Sequence, residues 1–207
     1  MKYFVIGYNK TATTTIHSIF SKSGIKCIHN YRNWENIINN FDCFSDNGNL
    51  ENFKNLDKIC PNSTFILNVR NLDSWIISRL NHGHREYLKT NKTNWAYPVG
   101  INDIKTWILD REKYHLEVLE YFLNNPKKLI IVNIEKRNWI NFLFNNLNIK
   151  FNKVENYNTH APTDRNNEYF RITEEIINSY NYNNKNKLII QNNVLLENYL
   201  KIYKNNI

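Results

Sequence analysis

The sequence predicts a three-layer α/β fold, with a mostly parallel central sheet of about four to five strands and helices on both faces. Short apolar runs rich in β-branched and aromatic residues recur at 3–7, 25–29, 64–69 and 128–134. Between them lie segments whose apolar residues repeat at helical spacing. Strand and helix alternate, and no internal repeat interrupts the pattern. The 207 residues suit a single domain with one proper core. Within it, residues 161–207 are expected to form a helical C-terminal extension packed on the sheet-bearing part.

Each element has its own signal. Residues 3–7 read as a buried strand, and a helix follows at about 13–23, with Ile16, Ile19 and Phe20 on one face and Gly24 as its stop. Residues 25–29 form a second short strand that ends in His29. A short helix is expected over 32–40, then a brief apolar stretch from Phe41 to Ser45 closed by Asp46, and a helix over 49–59 that Pro61-Asn62 breaks. Thr64–Val69 is a clear strand with Arg70 just past its end. Asn71 suits a helix cap and Asp73 its first turn, while Trp75, Ile76, Ile77 and Leu80 supply the buried side. Residues 81–100 read as an irregular insertion that could cover a ligand. A long helix over 101–124, a strand over 128–134 and a helix over 137–147 follow. After a loop through Pro162, two helices at 172–180 and 187–204 close the chain.

Composition narrows the class. Aromatic residues make up 14% and hydrophobic residues 42%, which excludes a disordered chain. Asparagine fills about forty positions, a bias that fits A- and T-rich codons and blurs helix ends, because Asn favours caps and turns. The formal charge of +8 favours an anionic partner. No block of like charges and no regular basic–aromatic interleaving occurs, so no specific nucleic-acid binding is expected. Cys27, Cys43 and Cys60 are odd in number and lack metal-ligand spacing. Free thiols in a reducing, intracellular setting are expected, and with no apolar run near the ~18 residues that span a bilayer, a soluble cytoplasmic protein.

The most informative stretch is Gly7-Tyr8-Asn9-Lys10-Thr11-Ala12-Thr13-Thr14-Thr15. A strand ends at a glycine, a small polar loop with one lysine follows, and a helix begins. Such a layout aims backbone N–H groups and a helix N-terminus at an anion, and Lys10 and the threonine hydroxyls add charge and donors. A second anion signal is the pair Arg70 and Ser78. Their spacing of eight returns close to one face of a helix, and the guanidinium fork suits a phosphate. Two such grips imply a ligand with two separated phosphates.

These residues carry a resemblance. Gly7-x-x-Lys10-Thr11-Ala12-Thr13-Thr14 resembles the phosphosulfate-binding loop of PAPS-dependent sulfotransferases (PAPS is 3′-phosphoadenosine 5′-phosphosulfate), commonly written with Lys-Ser-Gly-Thr-Thr. Phe65–Asn71 with Ser78 is similar to their 3′-phosphate motif. His29, Asp46, Pro61, Arg70 and Trp75 match the compact P-loop sulfotransferase-like branch of that superfamily, over roughly residues 1–160. Ala12 stands where that loop usually has Gly, which narrows its freedom for positive φ. The spacing is not that of the Walker A motif.

The resemblance implies a P-loop, nucleotide-kinase-like fold and transfer of a sulfuryl group from PAPS, as co-substrate, to a hydroxyl or amine, with no metal expected. Lys10 would neutralise the leaving group. Thr11, Ala12, Thr13, Thr14 and Thr15 with Lys10 would hold the 5′-phosphate, and Arg70 with Ser78 the 3′-phosphate. His29 and Asp46 both end strands on the presumed ligand edge and are the candidates for the base. An imidazole titrates near neutral pH unaided. His17 reads as a packing or surface residue, and His82, His84, Glu86, His160 and Arg165 as weaker candidates. The acceptor, a small molecule or glycan, is not encoded legibly, nor is the oligomeric state. Two alternatives stay open: a P-loop phosphotransferase or nucleotide kinase, and a non-catalytic nucleotide-binding relative.

Overall fold

A computed structural model of the chain describes residues 1–31, 34–46, 52–92 and 101–150. The chain divides into two compact units, Met1–Arg70 with Glu120–Thr159, and Asn71–Leu119 with His160–Ile207. Among the described residues the first holds five strands: β1 (Tyr3–Val5), β2 (Cys27–His29), β3 (Cys43–Ser45), β4 (Thr64–Val69) and β5 (Leu129–Asn133). Every pairing is parallel and the order is β2-β3-β1-β4-β5. The winding therefore reverses at β1, which has β3 on one side and β4 on the other. In open parallel sheets ligands collect in the crevice at the C-terminal edge of such a switch point.

The period-two alternation of the strands sorts two hydrophobic layers. Tyr3 and Val5 face the same way as Cys43, Ile66, Ile130 and Val132, against Ile16, Ile19 and Phe20 of α1 (Thr13–Lys22) and Trp139, Leu143 and Phe144 of α6 (Trp139–Asn146). On the opposite face Phe4 stacks between Phe44 and Phe65, with ring centroids 5.2 and 5.3 Å away. That aromatic layer continues from Phe65 to Phe122, at the end of α5 (Ile101–Phe122), and to Phe53 of α3 (Phe53–Ile59). Helices thus cover both faces, as the sequence predicts. The Lys128 ammonium, just before β5, ties α3 to the sheet through a 2.6 Å bond to Asp57, which also accepts from the Tyr121 hydroxyl.

Several boundaries follow from single residues. Gly24, at φ 81°, closes α1 while the Ile25 amide donates to the Phe20 carbonyl, the 6→1 bond of a Schellman end. Asn30, Asn91, Asn138 and Asn148 all take positive φ, so part of the asparagine excess serves left-handed positions that other side chains resist. The helix expected over 32–40 is helical at α2 (Trp34–Ile37) and gives way to a turn over 38–40, with 32–33 outside the described residues, and the Phe41–Ser45 stretch yields β3.

One expectation fails. Residues 81–90 are not irregular but continue α4 (Leu72–Thr90). His82-Gly83-His84 reads as a break, yet one glycine inside a helix costs only about 1 kcal/mol, and the flanking turns carry it. Residues 93–100, 151–160 and the expected closing helices, with His160 and Arg165, lie outside the described residues. Within the second unit α4 and α5 share a buried cationic–aromatic cluster. The Arg79 guanidinium lies 4.8 Å from the Trp75 ring and 4.3 Å from that of Trp107, and Arg111 lies 5.2 Å from Trp75. Among the described residues no helix is long and apolar enough to cross a membrane.

Candidate functional site

The loop after β1 is built around Asn68 of β4, a fully buried polar residue. Its Oδ1 accepts from the Gly7 amide at 3.0 Å, and its Nδ2 donates to both the Thr11 carbonyl and the Thr11 hydroxyl oxygen at 2.7 Å. The Thr11 hydroxyl in turn donates to the Tyr8 carbonyl. A side chain at position 7 has no room, since a Cβ there would come within 2.1 Å of the Asn68 carbonyl oxygen. The loop is thus closed across its base by one side chain from the neighbouring strand.

On that base the chain turns sharply twice. Lys10 and Ala12 take φ of 66° and 67°, both left-handed, on either side of Thr11. Such conformations cost about 1–2 kcal/mol in a residue with a Cβ and gather where a loop is shaped around a ligand. Ala12 is the N-cap of α1, with no side-chain cap and no acid in the helix's first turn, so that end keeps its positive dipole character. Of the threonines expected to face a phosphate, Thr11 turns its side chain inward and is 1% exposed. The Thr13 hydroxyl donates to Asp46 at 3.2 Å, Thr14 lies on the surface beside His29, and Thr15 is half-buried.

Two strand ends beside the loop bring the base candidates together. His29 Nε2 lies 3.7 Å from Asp46 Oδ2, each side chain 25% exposed, and 3.3 Å from the Thr14 hydroxyl. His29 Nδ1 lies 2.9 Å from the Ser45 hydroxyl, which donates onward to the Ile28 carbonyl. With its own proton so committed, Ser45 accepts from Nδ1–H. That leaves Nε2 as the ring nitrogen turned towards Thr14 and Asp46. His17, one turn along α1, places its ring 5.4 Å from that of His29. Burial, then the neighbouring His29, holds the His17 imidazole below its ordinary pKa.

On the other side of β1, Arg70 is 6% exposed. Its Nε donates to Glu135 at 3.2 Å and its Nη1 to the Lys10 carbonyl at 3.5 Å. Arg70 therefore braces the loop from within while pairing with a carboxylate past the end of β5. Ser78 lies in α4 of the second unit, half-buried.

The structure thus gathers Lys10, Thr13, Thr14, His29, Asp46 and Arg70 on the C-terminal edge of the sheet. Sequence reasoning missed Asn68, Ser45, His17 and Glu135 as parts of this arrangement. Only Asn68 carried a signal, a lone amide inside the apolar run Phe65–Val69. No family model matches the chain, and no curated protein matches it.

Proposed function

We propose that the chain is a PAPS-dependent sulfotransferase, moving the sulfuryl group of PAPS to a hydroxyl or amine and leaving adenosine 3′,5′-bisphosphate. The observation that carries this reading is the doubly left-handed loop of Lys10 and Ala12 at the switch point of the sheet. It is flanked on one side by His29 with Asp46 and on the other by Arg70. In this reading the acceptor hydroxyl attacks sulfur in line with the bond to the 5′-phosphate oxygen, which breaks as the new S–O bond forms. The acceptor's proton passes to His29 Nε2. The residues of the loop hold the 5′-phosphate, and Lys10 offsets charge growing on the leaving phosphate. Arg70 meets the 3′-phosphate, exchanging its partner Glu135 for the anion. Calorimetric titration tests the assignment: adenosine 3′,5′-bisphosphate should bind at least tenfold more tightly than adenosine 5′-monophosphate. Equal affinity overturns it.

A second reading, a phosphotransferase, is favoured by one contact. The Thr13 hydroxyl and the Asp46 carboxylate meet at 3.2 Å, and a hydroxyl with a carboxylate beside a phosphate loop suits Mg²⁺. ATP binding that strengthens with Mg²⁺ and weakens in Asp46→Asn would select it over sulfuryl transfer.

A further inference from the structure

Cys27 and Cys43 stand opposite each other on one rung of the β2–β3 ladder, and the Cys27 thiol donates to the Ile25 carbonyl at 3.2 Å. Neighbouring strands lie about 4.8 Å apart, inside the roughly 4.4–6.8 Å between Cα atoms that a disulfide spans. Two residues further along the same strands, on the same face, come His29 and Ser45, the next rung on that face, joined by their 2.9 Å hydrogen bond. We propose that Cys27 and Cys43 form a reversible redox pair, closed by a low-molecular-weight disulfide and coupled through the ladder to the His29–Ser45 pair.

The two thiols are unequal in the way such a pair requires. Cys27 is half-buried and Cys43 wholly buried, so a reagent from solvent meets Cys27 first. The neighbouring Cys43 side chain holds the Cys27 thiol below its ordinary pKa, against the opposing effect of burial, and Ser21 of α1 assists. Burial, then the neighbouring Cys27, pushes the Cys43 thiol well up. The attacking sulfur is therefore the one that reaches the thiolate more readily.

The chemistry closes in two exchanges. The Cys27 thiolate attacks one sulfur of oxidised glutathione, forming a mixed disulfide and releasing one glutathione thiolate. Cys43 then gives up its proton, attacks the Cys27 sulfur and releases the second glutathione. Two protein thiols lose two electrons and two protons, and one oxidised glutathione becomes two thiols. A bond drawn across this rung shifts the next, altering the orientation of His29 at the edge of the candidate site.

The test uses the full-length protein, equilibrated with reduced and oxidised glutathione over a series of ratios, quenched with an alkylating agent and mapped by mass spectrometry. The expected product is a Cys27–Cys43 disulfide, with Cys60 alkylated or carrying glutathione. Cys27→Ser, altering the more exposed thiol, should leave Cys43 alkylated only after unfolding. The imidazole NMR signal of His29, assigned with His29→Gln, should move between reduced and oxidised protein. Cys27 recovered as a thiol at every ratio, or a disulfide that engages Cys60 instead, overturns the pairing. An unmoved His29 signal in the oxidised protein overturns the coupling.

Discussion

Gly7 and Asn68 are locked together from two directions, the Gly7 amide donating to the Asn68 side chain at 3.0 Å while the Asn68 backbone carbonyl leaves no space for a Cβ at position 7. Deleting the amide in Asn68→Ala strands the Gly7 N–H and two acceptor sites of Thr11 in a dry interior. Each unsatisfied buried group costs about 1–3 kcal/mol, so a loss of roughly 3 kcal/mol in urea unfolding is expected. Gly7→Ala should cost at least as much, and Asn68→Ala should not rescue it, because the closest obstacle is main-chain oxygen. A double variant as stable as Asn68→Ala alone would show that the loop relaxes around the clash.

Ala12 offers a finer test of the strained loop. Glycine there relieves about 1–2 kcal/mol of left-handed strain. It also surrenders a buried methyl worth about 0.8 kcal/mol and frees the unfolded chain by about 0.4–1 kcal/mol. Ala12→Gly should therefore fall within about 1 kcal/mol of the parent. Ala12→Val, β-branched at φ 67° in a position 4% exposed, should lose at least about 2 kcal/mol. Thermal unfolding of the three proteins checks the order, and a neutral valine would contradict the loop geometry.

Glu135 and Arg70 make the site's chief ion pair, with the guanidinium nearly covered and the carboxylate one-quarter exposed. Glu135→Gln keeps the shape and removes the charge. The unliganded protein should lose about 1–2 kcal/mol, as a covered guanidinium gives up its charged partner. Adenosine 3′,5′-bisphosphate should bind roughly three- to tenfold more tightly, about 0.7–1.4 kcal/mol, because the anion no longer competes with Glu135. Unchanged affinity alongside lower stability would leave Arg70 as a brace for the loop and remove it from the ligand.

The strands were legible because they are apolar runs with hard stops: Thr64–Val69 is bounded by Pro61-Asn62 and by Arg70, and its limits agree with the sequence reading. The loop was legible because a glycine, a lysine and a helix start are contiguous. What pairs with the loop was not. Thr13 meets Asp46 across 33 residues and Arg70 meets Glu135 across 65. Those meetings follow from the order β2-β3-β1-β4-β5, which no local periodicity encodes. His17 looked like a packing residue because its significance depends on where β2 lies beneath α1. The run past Leu80 was misread for the opposite reason, local glycine and histidine outweighing a helix that continues to Thr90 on its polar, largely exposed last turns.

His115, on α5 in the second unit, links that unit's stability to pH. Burial, then the nearby Arg111 guanidinium, holds its imidazole well below the ordinary histidine value. Between that lowered value and the unfolded value of about 6.5, the unfolded chain binds a proton that the folded chain refuses. Stability therefore rises with pH through this window and is lost as pH falls below about 6.5, by up to about 1.4 kcal/mol per pH unit from this one group. His17, lowered more modestly by burial and His29, adds in the same direction. Urea unfolding of the parent and of His115→Gln at a series of pH values isolates the contribution. Whatever glutamine costs above pH 7 is common to the whole series, while the difference between the two proteins should narrow as pH falls, because only the parent must exclude a proton. A difference that stays constant across the window would mean that His115 carries its charge in the folded protein, beside Arg111.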